Sequence, residues 1–137
     1  GDEDKEKLKR EAERALSEAL SEFEKQGKIT PETLKRLAEE IAEAALAQQQ
    51  GDSERLEKAA RRFAETLLRA LKESGASAEE IEEAIERIRK ALSKAPSPQL
   101  QKLANSPQWQ TALQEAIKKA RQEKKEKGSL EHHHHHH

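Results

Sequence analysis

Nucleophilic catalysis in this chain would have to rest on a serine or threonine beside a base. The sequence holds no cysteine, and its six histidines form one consecutive run at 132–137. A free hydroxyl is a weak nucleophile and needs an imidazole or similar base within hydrogen-bond reach. Ser53, Ser77, Ser97 and Ser106 each stand at the expected start of a helix. There a hydroxyl has another task, accepting from the free N–H groups of the first turn. Their spacing assigns them to capping, and no catalytic residue is named. A metal centre is no better supplied. Structural sites draw on clustered Cys and His, and helical di-metal centres on inward Glu-x-x-His pairs, which are absent upstream of the terminal run. Asp2, Glu3 and Asp4 lack the spacing and the glycine of a calcium loop. No metal ligand is named, and nickel or zinc affinity is expected only of residues 132–137.

The other chemistry-bearing groups have plainer readings. Carboxylates paired for acid–base work sit in a cleft with shifted pKa values. Glu79, Glu80, Glu82 and Glu83 cluster instead at a helix N-terminus, where the macrodipole favours negative charge, and read as a solvated face. Gly27-Lys28-Ile29-Thr30 carries the letters that end a phosphate loop but has neither upstream glycines nor a strand, so no cofactor or cofactor-binding residue is expected. Lys118, Lys119, Arg121, Lys124 and Lys125 make the last helix basic, diluted by Glu115, Glu123 and Glu126. Such cations suit a helix C-terminus, and no nucleic-acid partner is expected. Over the whole chain 26 Lys and Arg balance 27 Asp and Glu, leaving no net pull towards polyanions. No run approaches the roughly 18 apolar residues of a membrane span, and no secretory or transit signal is read at Gly1. Gln99, Gln101, Gln108 and Gln110, with Gln48, Gln49 and Gln50, read as neutral surface filler ahead of contact surface. Trp109 reads as core.

The elements that would position any of these groups are helices. Upstream of the terminal histidines there is no His, Cys, Met, Tyr or Val, and Ala, Leu, Glu, Lys, Arg and Gln fill most positions. These are the strongest helix formers. Apolar residues step by three and four. The first stripe is Leu8, Ala12, Ala15, Leu16, Ala19, Leu20 and Phe23, predicting one helix over residues 4–26 closed by Gly27. Thr30, Pro31 and Glu32 open the second, with Ile29 and Leu34 spaced as a hydrophobic staple. It carries Leu34, Leu37, Ala38, Ile41, Ala44 and Ala45, and Ala42, Leu46 and Ala47 widen the stripe to meet neighbours on more than one side. Asp52 or Ser53 caps the third, Asp52 being preferred because it puts Leu56 on the inner face, and its stripe runs from Leu56 through Phe63 to Leu71 and ends at Gly75. Ser77 and Glu80 form a capping box for the fourth, which holds Ile81, Ala84, Ile85, Ile88 and Leu92 and stops at Pro96. Ser97-Pro98 opens a short fifth helix with Leu100, Leu103 and Ala104, and Asn105 is expected in the left-handed closing position. Ser106-Pro107 opens the sixth, with Trp109, Ala112, Leu113, Ala116, Ile117 and Ala120 inward and a charged end near Lys127. Ser97-Pro98-Gln99 and Ser106-Pro107-Gln108 read as one capping recipe used twice.

Glycines fall only at ends and turns (Gly27, Gly51, Gly75, Gly128), prolines only at helix starts or stops (Pro31, Pro96, Pro98, Pro107), and every stripe agrees with its caps. Leu130-Glu131 and the histidines at 132–137 look like a vector-derived purification tag. The whole chain resembles a de novo designed all-α protein, built from idealised helices and short helix–loop–helix motifs. Unequal helix lengths do not suit a symmetric up-down bundle. The expected fold is therefore one all-α globular domain over residues 1–128, with about six helices, one short, in an irregular arrangement. A disordered linker and tag would follow at 129–137. The resemblance implies no enzyme activity, cofactor, nucleic acid, membrane or cellular partner, only a scaffold that folds as a stable monomer. The alternative it leaves is a designed helical interaction module, a binder or homo-oligomer, which needs an exposed apolar patch with aromatic anchors. Leu46, off the main stripe, is the best candidate contact.

Overall fold

A computed structural model describes the backbone of residues 2–136 and the side chains of residues 3–122. Its helices are α1 (Asp2–Ala19), α2 (Ser21–Lys25), α3 (Pro31–Gln49), α4 (Ser53–Glu73), α5 (Ala78–Ser93), α6 (Pro98–Ala104) and α7 (Pro107–His136). No strand occurs among the described residues. α7 runs past Lys127, the expected end of the last helix, and into the 129–137 tail. The side chains from residue 123 onward, and with them the expected character of the tail, lie outside the described residues.

The helix starts follow local chemistry. Thr30 Oγ1 accepts from the Thr33 N–H at 3.1 Å, and Asp52 Oδ1 accepts from the Arg55 N–H at 3.1 Å. At Ser77 the box is reciprocal: Ser77 Oγ accepts from the Glu80 N–H, and Glu80 Oε1 accepts from the Ser77 N–H at 3.0 Å. Three ends share one closure, with Gly27, Gly51 and Gly75 at φ 70°, 72° and 86°. After each glycine the next N–H reaches back five residues: Lys28 to Phe23, Asp52 to Ala47, and Ala76 to Leu71, at 2.8, 2.9 and 3.0 Å. This is the double-bonded left-handed cap that satisfies otherwise orphaned carbonyls. A Cβ added at Gly75 would meet no heavy atom within 4 Å, so the cost of Gly75→Ala is purely that of left-handed backbone. It is expected to lower unfolding stability by about 1–2 kcal/mol with an unchanged denaturant slope.

Three local expectations are corrected. The first helix is two, because Leu20 departs to φ −108°, ψ 21° between α1 and α2. No proline or glycine stands there, and hydrogen bonds from Leu20 N–H to Leu16 O and from Glu24 N–H to Leu20 O bridge the break. Both Leu20 and Phe23 stay buried across it, so long-range packing rather than a local breaker accounts for the bend. Asn105 sits at φ −96°, not in the left-handed region; α7 starts two residues later at Pro107, and the Gln101 and Gln110 side chains reach the carbonyls that precede the α6 and α7 starts. Ser97 and Ser106 do not cap as Ser77 does. The Ser97 hydroxyl donates to Glu11 of α1, and the Ser106 hydroxyl to Gln108 Oε1 at 3.0 Å.

The repeated Ser-Pro-Gln recipe works through a different residue. Gln101 Nε2 donates to the Ala95 carbonyl at 2.6 Å, and Gln110 Nε2 to the Ala104 carbonyl at 3.2 Å. Each glutamine stands four residues after its serine and satisfies the carbonyl two residues before it. Two members of the supposed filler patch are thus the clamps of two glycine-free turns.

Packing is only partly sequential. α3 lies against α1 and α4, α4 against α7, α7 against α5, and α5 against α1, which closes a ring of the five long helices. The short α6 reaches α3, α5 and α7, while α4 and α5, consecutive in the chain, share little contact. An up-down bundle would pair consecutive helices, so the arrangement is the irregular one. Every stripe residue of the six expected helices is buried except Leu46, which is partly buried and packs on the core.

Candidate functional site

The groups singled out for chemistry are dispersed by the fold into structural duties. Of the acidic cluster on α5, Glu80 serves the capping box and meets Lys28 at 3.6 Å, Glu83 pairs with Arg87 at 2.6 Å, and Glu82 pairs with Arg121 of α7. The Ser77 backbone N–H, then its hydroxyl and the Lys28 ammonium hold the Glu80 carboxyl below its ordinary pKa. Arg121 thereby leaves the basic patch expected on the last helix. Ser97 keeps a carboxylate partner, Glu11, but it is only 6% exposed and faces no imidazole among the described residues. A Ser–carboxylate pair without a base of suitable pKa has no route to an alkoxide. Among the described residues no group of three or more His, Cys, Asp or Glu could hold a metal ion. No helix is long and apolar enough to cross a membrane, again among the described residues.

One carboxylate is held in an unusual state. Glu40 on α3 is half-buried at the seam with α4, where Oε2 accepts from the Thr66 hydroxyl at 3.1 Å and Oε1 is buried without a partner. Burial raises its pKa above the carboxylate value of 4.5, opposed by the Thr66 hydrogen bond and by Arg36 and Arg62. The folded state then binds the proton more tightly than the unfolded chain. This group's contribution therefore becomes less favourable as pH rises from the ordinary carboxylate range through the raised pKa, and recovers on acidification. Glu40→Gln is expected to gain stability relative to the parent at neutral pH and to lose that advantage as pH falls towards about 4. Urea denaturation of both proteins at several pH values reads the difference directly, and a constant difference would sink the assignment.

Among the concavities of the described residues, two adjoin. The first is a groove of about 840 Å³ between α1 and α5, and the second a cleft of about 780 Å³ beside it, against α3, α6 and the turns around Pro96 and Pro107. They share Lys7, Glu11 and Pro96. The cleft's lining mixes neutral polar groups such as Gln48, Gln49 and Gln99 with Asp4, Lys7, Glu11, Lys102 and three prolines. Gln48 reaches across it to donate to the Lys102 carbonyl at 3.4 Å, while its own Oε1 is buried and unpartnered. The groove differs from three of the other long-helix seams in its charges. Opposite charges meet where α1 crosses α3 (Lys9–Glu39, 3.2 Å), where α3 crosses α4 (Arg55–Glu43, 3.1 Å) and where α5 crosses α7 (Arg121–Glu82). The α1–α5 seam has an excess of cations instead. Lys7, Arg10 and Arg14 line it from α1, and Arg87 and Lys90 from α5 with Lys94 just beyond, against only Glu11 and Glu18. Between them Ala15, Ala19, Ala91 and Ala95 make an alanine floor. The electropositive seam escaped the sequence because α1 and α5 are remote in the chain, and each cation alone looks solvated.

No protein-family model matches this chain, and no curated protein matches it in sequence.

Proposed function

We propose that this chain is a de novo designed all-α scaffold carrying a C-terminal His tag, made to fold as a stable monomer and without a natural biochemical activity. The observation that carries the reading is the agreement between the glycine helix closures, the apolar stripes and the buried core. The helix closures at Gly27, Gly51 and Gly75 repeat one geometry, the apolar stripes are buried as written, and the fully buried polar residues among those described are Ser97 and Ser106 alone. Natural chains commonly break such consistency where they act. The rival reading, an interaction module anchored by aromatic or apolar contacts, has less to stand on. Phe23, Phe63 and Trp109 are the only aromatics and are all buried, and Leu46 packs against its own core.

The test is light scattering behind size exclusion, on tagless protein at two well-separated concentrations. One chain mass at both supports the scaffold. A dimer, or a mass that climbs with concentration, would transfer the lead to the interaction module.

A further inference from the structure

Beyond the scaffold reading, we infer that the α1–α5 groove is a docking site for an acidic amphipathic helix of a partner protein. Opposite charges pair across three of the other long-helix seams and charges alternate in sign along the fourth, whereas this one gathers six cations against two carboxylates. Glu11 is engaged by the Ser97 hydroxyl and Arg87 by Glu83. No ion pair among the described residues involves Lys7, Arg10, Arg14 or Lys94. Cations gathered along one groove raise its positive potential, and an anionic occupant is the complement that potential favours.

The shape selects the occupant. From Lys7 to Ala19 the α1 wall extends about 18 Å at 1.5 Å per residue, the length of a helix of some three turns. The floor is alanine, so a third helix can approach at the short end of interaxial distances and set small or medium apolar side chains between α1 and α5. Its flanks would then carry Asp or Glu beside the two rows of cations, the pattern of helix-in-groove recognition. Other occupants fit less well. A second copy of this chain related by a two-fold axis would set the same cations against themselves. A bilayer surface is bound by projecting aromatic and aliphatic side chains, and the lining offers none. Single-stranded nucleic acid stacks on aromatic platforms, also absent from the lining.

The experiment is fluorescence anisotropy of a labelled acidic amphipathic peptide, about 15 residues long with Ala and Leu on one face and Glu on both flanks, titrated with the full chain at about pH 8, where histidines are neutral. Saturable binding is expected, weakening at least tenfold or so between low salt and about 0.5 M salt. The double variant Arg14→Glu/Lys90→Glu is expected to bind at least about tenfold more weakly, with an unchanged helical spectrum because both side chains lie at the groove rim. The neutral pair Arg14→Gln/Lys90→Gln supplies the same comparison should the charge-reversed protein fold poorly. Arg69→Glu, away from the groove, should bind like the parent. The inference is overturned if the peptide fails to saturate at about 1 mM protein, in the weak-affinity range. It is equally overturned if both groove variants bind like the parent, or if a peptide with Lys for Glu binds as well. Tighter binding of phosphatidylserine vesicles or oligothymidine than of the peptide would also overturn it.

Discussion

Truncating Trp109 to alanine is expected to cost about 3–5 kcal/mol of unfolding free energy, the largest loss from any single side chain here. The ring is fully buried in the first turn of α7, and its centroid lies 4.7 Å from that of Phe63 on α4, with the planes tilted by 36°. That contact ties α7 to α4, a link in the ring of long helices, so the cavity left by alanine would open at a junction between elements. The indole N–H, however, is buried with no acceptor. An orphaned buried donor itself costs about 1–3 kcal/mol. Trp109→Phe gives up some volume but also removes that donor, so its net cost is expected to stay below about 2 kcal/mol. Guanidinium denaturation followed by circular dichroism separates the two outcomes. If phenylalanine proves as damaging as alanine, the indole N–H is satisfied in solution and the shape of the ring alone accounts for its place.

What could be read from the sequence was what neighbouring residues decide. Thr30, Asp52 and Ser77 cap because each is followed at the right distance by a free N–H, and the stripe from Leu56 to Leu71 is buried because helical periodicity puts it on one face. The errors have one origin. Ser97 looks like Ser77 in its local context, yet its hydroxyl turns to Glu11, 86 residues away. Gln101 and Gln110 look like surface filler until the geometry of glycine-free turns brings two loop carbonyls within reach. The break at Leu20 has no local breaker, and Arg14 and Lys90 become a shared feature only once α1 is laid beside α5. Propensity and periodicity act over a few residues, whereas the candidate groove is a property of which helices are neighbours.

The same substitution made at two alanines is expected to have opposite signs. Ala42→Leu should destabilise by about 1–3 kcal/mol, because an added isobutyl group in a filled interior forces neighbours off their rotamers. Ala42 is fully buried on α3, the helix that touches α1, α4 and α6, so no side is free to yield. Ala91→Leu, on the floor of a groove of about 840 Å³, has room to lay its side chain along α1. It should be neutral or stabilising by up to about 1 kcal/mol through the apolar area it covers. Many interior alanines raise the possibility of a lubricated core in which helices slide among several packings. Such a core would absorb Leu at position 42 and gain from its burial, giving both variants the same sign. Opposite signs in matched denaturation curves require an interior that is tight at the α3 crossings and open only between α1 and α5, the condition under which a preformed groove can receive a helix without first being unpacked.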